Sequence, residues 1–135
     1  MKIQRALAVV FVVLFVATGC GSSEAEEALA QYDPAEVQML RDQAKESDTD
    51  VTDSLLLSTL QARDDCRTIA AALQAMTAGQ TAGDAMDKLA DLPETNRKRG
   101  QNDQADYFQT VVDKALLGDP SVAKDYHDKN CADVQ

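Results

Sequence analysis

Side chains suited to catalysis are scarce in this sequence. It has no tryptophan and a single histidine, His127, among its 135 residues. Acid–base and nucleophilic catalysis need a base, an orienting group and a nucleophile in one pocket, and one histidine offers little material for such a set. The motifs of phosphate-binding loops, zinc proteases, serine hydrolases and kinases are also absent. We therefore expect a protein that is not an enzyme and that uses no cofactor.

Positive charge is also in short supply, with 13 Lys and Arg against 23 Asp and Glu and a formal net charge of −10. Nucleic acids and anionic lipid surfaces attract basic proteins, so this balance argues against a nucleic-acid partner and against peripheral binding to anionic lipid. Aromatic residues make up only 4% of the chain. The core must therefore be built mostly from Leu, Val, Met and Ala, and a covalent cross-link would help to stabilise it.

Long hydrophobic runs are missing except at the N-terminus, where residues 6–17 (ALAVVFVVLFVA) are uncharged and follow Lys2 and Arg5. A transmembrane helix needs about 20 apolar residues, and this run is shorter. A positive start, an apolar run of about 7–15 residues and a small-residue cleavage site together define a secretory signal peptide. The segment is therefore predicted to be a signal peptide that is removed on export.

The end of this segment, Ala17-Thr18-Gly19-Cys20, has small residues followed directly by a cysteine. It resembles the lipobox of bacterial lipoproteins, although Leu is more usual at the position of Ala17. The resemblance implies cleavage after Gly19 and a diacylglycerol on the sulfur of Cys20, with fatty acyl chains such as palmitate. Two acyl chains hold a protein firmly where one holds it only marginally. The protein would then be anchored to the cell membrane, or to an outer membrane, and would face the extracytoplasmic side.

The mature chain is predicted to have two parts. Residues 20–32 are interpreted as the lipidated cysteine and a flexible acidic tether, because residues 21–27 (GSSEAEE) are small, polar and acidic. Residues 33–135 are predicted to form a single domain. Loss of residues 1–19 removes two cations, so the mature formal charge is −12. Two alternatives for the N-terminus are an ordinary signal peptide with a cysteine at its cleavage site and an uncleaved membrane anchor.

Helix signals dominate the domain. Asp33-Pro34 and Asp119-Pro120 each place a hydrogen-bond acceptor before a proline, as at the start of a helix, and Glu36 completes a capping-box pattern. Apolar residues recur at spacings of three and four, which predicts amphipathic helices, and short connections favour antiparallel neighbours. The prediction is an all-α fold, a small antiparallel bundle of four to five helices. These cover about residues 34–45, 53–78, 83–91, 103–117 and 120–129.

The three cysteines have different predicted roles. With Cys20 acylated, Cys66 and Cys131 form an even pair in an oxidising compartment. Cys66 shares the apolar face of its predicted helix with Ile69, so its side chain should point inward. We predict a Cys66–Cys131 disulfide and no metal site. The alternative joins both cysteines to His127 as metal ligands, but a zinc site takes four ligands, or three and a water molecule.

Two polar segments are predicted to be exposed connections. Asp48, Asp50 and Asp53 resemble the start of a calcium loop, but the glycine and the glutamate of the EF-hand pattern are missing, and helix capping explains these residues better. Residues 92–100 are predicted to be a loop. Its three consecutive cations, residues 97–99, would be solvated or would touch lipid headgroups or an acidic patch on a partner.

The expected function follows from the predicted location, the helical domain and the lack of a catalytic set. Such a chain would be a non-catalytic protein-interaction module of the inhibitor, immunity, phage-exclusion or assembly type, with an envelope or extracellular protein as partner. The alternative is a lipoprotein that binds a small ligand or lipid, with Met39, Met76 and Met86 lining an apolar cavity. A third class, an envelope hydrolase, would need a cleft with converging carboxylates.

Overall fold

A computed structural model of the chain describes residues 22–134. The predicted signal peptide, its cleavage site and the proposed lipidation site Cys20 lie outside the described residues. Those residues form six helices and no strand, which confirms the all-α prediction. None of these helices is both long and apolar enough to cross a bilayer. The helices are α1 Ser22–Leu29, α2 Pro34–Glu46, α3 Asp53–Thr77, α4 Asp84–Lys98, α5 Asn102–Leu116 and α6 Ser121–Asn130.

Two of the helix starts follow the capping signals in the sequence. The Asp33 carboxylate accepts a hydrogen bond of 2.8 Å from the backbone N–H of Ala35 at the start of α2. The Asp119 carboxylate accepts one of 2.9 Å from the backbone N–H of Ser121 at the start of α6. Each aspartate satisfies a backbone donor that the helix itself leaves free. The two Asp-Pro pairs therefore fix where these helices begin.

Helix α3 is the longest and carries two groups of helices along its length. Helices α1 and α2 pack on its first half, whereas α4 and α6 pack on its second half and α5 packs on α4 and α6. We call these two groups the N-terminal and C-terminal lobes. The part of the molecule around Asp65 and Cys66, in the middle of α3, we call the waist. The N-terminal lobe buries Leu29, Val37, Leu40, Leu56 and Leu60. The C-terminal lobe buries Ile69, Ala72, Met86, Leu89, Leu92, Phe108, Val111, Val112, Ala115 and Ala123.

The helix directions give the molecule two distinct ends. Helix α2 runs antiparallel to α3, because Arg41 contacts Asp53 and the earlier Glu36 contacts Arg63, further along α3. Helix α4 runs antiparallel to α3, because Arg99 at its end contacts Asp65 in the middle of α3. Helix α5 runs back again, because Asp106 near its start contacts Arg97, so α5 ends at the same end of the molecule as α3.

We call the end that holds residues 47–52 and the start of α3 the proximal end. Helix α1 runs from this end toward the waist, because Leu29 packs with Leu60 of α3 and the following Tyr32 lies beside Asp64. The distal end holds the connections 78–83 and 117–120. With 25 residues, α3 is about 37 Å long at 1.5 Å per residue.

Helix α1 corrects the prediction of a flexible tether over residues 20–32. Residues 22–29 are helical, and Ala25 and Leu29 are 7% and 6% exposed. Their spacing of four residues puts both on one face, and that face packs on α3. A helix this short is marginal on its own, so packing on α3 stabilises it. The packed helical part of the chain therefore includes residues 22–29, which the sequence had assigned to the tether.

Helix α4 corrects the prediction of a loop over residues 92–100, because it is longer than predicted, whereas α1 alone accounts for the sixth helix. The helix continues through Pro93 to Lys98. A proline inside a helix removes one backbone hydrogen bond and crowds the preceding turn. Here Leu92, Pro93 and Asn96 are all buried against the C-terminal lobe. Burial of this face offsets the cost of the proline, so the helix does not end there.

Candidate functional site

The disulfide lies at the waist of the molecule. Cys66 and Cys131 are bonded, with their Cα atoms 5.5 Å apart, and they are 3% and 1% exposed. This confirms the predicted pairing and ties the end of the chain to the middle of α3. Both sulfur atoms are used in this bond, which leaves neither thiolate for the alternative metal site with His127. Within residues 22–134, no three His, Cys, Asp or Glu side chains converge as metal ligands would.

A buried polar cluster, the waist network, lies beside the disulfide and consists of Asp65, Asn96 and Arg99. One guanidinium nitrogen of Arg99 donates to both carboxylate oxygens of Asp65, at 3.0 and 3.2 Å. The Asn96 side-chain amide donates to Asp65 at 3.3 Å and to the backbone carbonyl of Leu92 at 3.0 Å. Burial raises the pKa of Asp65, and the charge of Arg99 opposes that rise. The network connects α3 to the end of α4. We interpret it as a contact that holds these two helices together.

The three consecutive cations lie at the end of α4 and not in a loop. Arg97 and Lys98 are exposed to solvent, as the sequence had suggested, and Arg99 is not. Arg99 is buried in the waist network, with its side chain 17% exposed. Arg97 pairs with Asp106 of α5 at 3.6 Å, and Lys98 pairs with Glu94 of α4 at 3.8 Å. All three cations therefore already have a carboxylate partner within the domain.

An ion-pair network attaches α2 to α3. The Glu36 carboxylate lies 3.2 Å from Arg63 and 2.6 Å from Arg67. Arg67 also lies 3.2 Å from Asp64. Glu36 therefore faces α3, where the sequence had suggested a capping box at the start of its own helix. Since Glu36 is only 18% exposed in its side chain, it bridges two arginines in a partly desolvated position.

The remaining candidate residues from the sequence do not form one site. Asp53 pairs with Arg41 at 3.1 Å. Asp48 and Asp50 are exposed in the connection between α2 and α3. Among the methionines of the ligand-cavity alternative, Met86 is buried in the C-terminal core and Met76 packs against it. Met39 lies half exposed in the other lobe. His127 is partly exposed on α6, 4.0 Å from the carboxylate of its neighbour Asp128.

An open groove of about 300 Å³ lies between α5 and α6, and we call it the tyrosine groove. The rings of Tyr107 and Tyr126 meet there with their centroids 5.6 Å apart. The Gln104 side-chain amide donates a hydrogen bond of 3.0 Å to the Tyr126 hydroxyl. The ammonium group of Lys129 donates to the Asp125 carboxylate at 2.8 Å. The groove is lined by Gln104, Tyr107, Asp125, Tyr126, Lys129 and Asn130.

Tyr126 is the fixed part of the tyrosine groove. Its ring packs edge-on against the buried Phe108, with centroids 5.1 Å apart. Burial, and next the charge of Asp65, raises the pKa of Tyr126 to about 12, while the hydrogen bond from Gln104 lowers it. The hydroxyl therefore keeps its proton at neutral pH. The oxygen accepts a hydrogen bond from Gln104, and the hydroxyl can also donate one.

No motif in the sequence marked the tyrosine groove. Gln104 and Tyr107 are three residues apart on α5, and Tyr126 and Lys129 are three apart on α6. These spacings place each pair on one helix face, and this could have been recognised in the sequence. What the spacing does not give is the pairing of the two faces, which depends on how α6 folds back onto α5.

The distal end carries a second surface feature, the leucine tip, formed by Leu116 and Leu117. They are 55% and 82% exposed and precede Gly118, whose φ of 77° ends α5 in the left-handed conformation. Lys114 of the same helix forms no ion pair with any carboxylate in the described part of the chain. Both leucines leave most of their apolar surface in contact with solvent.

Comparisons with protein-family models, with curated proteins and with solved structures found no match to this chain. Its function is therefore inferred from the residues and geometry of the domain itself. The three features that bear on function are the disulfide at the waist, the leucine tip and the tyrosine groove.

Proposed function

We propose that this chain is a bacterial lipoprotein that is cut before Cys20, lipidated on that cysteine and displayed on the extracytoplasmic side of the membrane. There it acts as a non-catalytic protein-interaction module. The observation that carries the proposal is the buried disulfide between Cys66 and Cys131. Structural disulfides persist in exported proteins and are rare where thiols are kept reduced. A lipoprotein requires an exported domain and a leader with a positive start, an apolar run and a lipobox at its end. The N-terminal residues of this chain resemble such a leader.

The early start of α1 supports a domain that stands close to its anchor. Ser22 begins α1 only two residues after Cys20, and two residues span at most about 7 Å. Because α1 packs on α3, a lipid on Cys20 would hold the proximal end of the domain next to the bilayer. The distal end would then lie about one length of α3 away, roughly 37 Å.

The leucine tip is the surface that we assign to the protein partner. It lies at the distal end, where an anchored domain would be most accessible to another protein. Leu117 is 82% exposed, so its side chain buries little apolar surface within its own chain. Burial of apolar area at about 25 cal/mol per Å² would favour a partner that covers both leucines. Leucine side chains can bind a partner but carry no reactive group, so binding is the activity that we propose for this surface.

Substitution of Cys20 tests the anchor. Cys20→Ala should abolish labelling of the protein by a fatty-acid probe and should leave it unprocessed or secreted. Ser22→Ala, two residues further on, is the matched control and should be labelled and retained like the wild type. Equal membrane retention and unchanged mass in Cys20→Ala would refute the lipoprotein proposal.

Photo-crosslinking in intact cells tests the partner surface. A crosslinking amino acid at position 117 should give a discrete adduct with one envelope or extracellular protein. The same amino acid at position 46, an exposed site beside the proximal end, should not give that adduct. Identical adducts from both positions, or none from position 117, would contradict the assignment of the leucine tip.

A further inference from the structure

The tyrosine groove is electrically neutral in a strongly acidic protein. Its only charged residues are Asp125 and Lys129, and they neutralise each other across 2.8 Å. The mature chain carries a formal charge of −12. A groove with balanced charge attracts neither anions nor cations selectively. Its chemistry therefore suits an uncharged, polar ligand.

Two tyrosine side chains line the groove and supply aromatic surface. Tyr107 is 38% exposed. Its ring lies next to that of Tyr126, with the two centroids 5.6 Å apart. Exposed aromatic rings bind groups that are apolar on one side and polar at their edges. A pyranose ring has this character, because its axial C–H bonds form an apolar face and its hydroxyl groups lie around the edge.

The rim offers donors and acceptors that are still free. Gln104 uses its amide nitrogen on the Tyr126 hydroxyl, which leaves its carbonyl oxygen as an acceptor. Asn130 uses its amide nitrogen on the backbone carbonyl of Tyr126 at 3.0 Å, which also leaves a carbonyl oxygen. The Tyr126 hydroxyl can donate one hydrogen bond. Neighbouring hydroxyl groups of a sugar can donate to and accept from such a set at once.

We propose that the tyrosine groove is a binding site for a neutral saccharide, in which a pyranose ring stacks on Tyr107 and its hydroxyl groups bond to Gln104, Asn130 and Tyr126. The volume of about 300 Å³ is at the lower end of the range for small-ligand sites, which fits one or two sugar units. The groove is open at the surface, so a longer glycan can continue beyond it. This binding does not depend on the lipid anchor or on the protein partner of the leucine tip.

Titration of the mature, lipidated protein with two uncharged trisaccharides, chitotriose and maltotriose, tests the site. The protein is held in a detergent that has no sugar headgroup, and binding is followed by NMR through the side-chain amides of Gln104 and Asn130. At least one trisaccharide should shift these signals and saturate, with a Kd in the range of about 1 mM that weak binding sites show. Absence of saturable shifts with both sugars would overturn the proposal.

Variants separate stacking in the groove from binding elsewhere. Tyr107→Ala removes the exposed ring and should weaken binding at least about tenfold, whereas Tyr107→Phe keeps the ring and should stay within about threefold of the wild type. Asn130→Ala, at an exposed position, should weaken binding without loss of fold. Asp113→Asn, on an exposed part of α5, is the control and should bind normally. Unchanged affinity in both Tyr107→Ala and Asn130→Ala would overturn the site.

Discussion

One guanidinium nitrogen of Arg99 lies 3.0 and 3.2 Å from the two carboxylate oxygens of Asp65, one residue before the disulfide at Cys66. Both side chains are largely buried, at 17% and 6% exposure. Removal of two charges from water costs free energy, which their attraction and the hydrogen bond from Asn96 offset. The pair therefore contributes little net stability, whereas removal of one partner would leave the other charge buried and unpaired.

Loss of Arg99 should therefore destabilise the domain far more than loss of a nearby exposed arginine. Arg99→Ala leaves the buried Asp65 carboxylate without its cation. This should lower the free energy of unfolding by about 3 kcal/mol. Arg97→Ala breaks a more exposed pair at 3.6 Å and should cost less than about 1 kcal/mol. Urea unfolding of both variants measures the difference. Equal losses would mean that the waist network is not buried as described.

Alkaline pH should weaken the domain through Tyr126. Burial of this phenol raises its pKa from the ordinary 10.0 to about 12. The unfolded chain therefore loses this proton at a lower pH than the folded chain, so the contribution to stability is complete below pH 10 and is lost as the pH rises toward 12. The difference between these two pKa values corresponds to roughly 3 kcal/mol.

Tyr126→Phe isolates this effect. The free energy of unfolding, measured by denaturant titration from about pH 9 to about pH 11.5, should fall more steeply in the wild type than in the variant. Curves that stay parallel over this interval would show that Tyr126 titrates alike in the folded and unfolded chains.

Local signals in the sequence predicted much of the fold. Asp33 and Asp119 each precede a proline, and both accept hydrogen bonds at the helix starts that they were expected to mark. Cys66 and Ile69 share an apolar helix face by spacing, and both are buried. Such signals act within one or two turns of the chain, so they can be recognised without knowledge of what packs against the helix.

Signals that depend on distant parts of the chain were missed. Pro93 ends a helix by local rules, but burial against the C-terminal lobe keeps α4 intact. Arg99 looked like one of three solvated cations until α4 placed it beside Asp65. The faces of Tyr107 and Tyr126 were visible in the sequence, but their contact depends on the packing of α5 with α6. Tertiary packing decided each of these cases.

The disulfide should carry a measurable part of the stability. Replacing both Cys66 and Cys131 by Ser frees a 65-residue interval in the unfolded chain and should lower the free energy of unfolding by about 2–4 kcal/mol. Guanidinium unfolding of the double variant against the wild type measures the loss. Mass spectrometry of unreduced exported protein should give one cross-linked peptide that contains both residues. Two titratable thiols in that protein would contradict the bond.

Helix α1 should be part of the folded domain, which distinguishes it from a tether. Leu29 is 6% exposed in the N-terminal core, so Leu29→Ala should lower the free energy of unfolding by about 2 kcal/mol or more, through lost burial and a residual cavity. Glu27→Ala, on the exposed face of the same helix, should change it by less than about 0.5 kcal/mol. Thermal and denaturant unfolding of the two variants provides the comparison. If Leu29→Ala proved as neutral as Glu27→Ala, residues 22–29 would act as the flexible tether that their composition suggested.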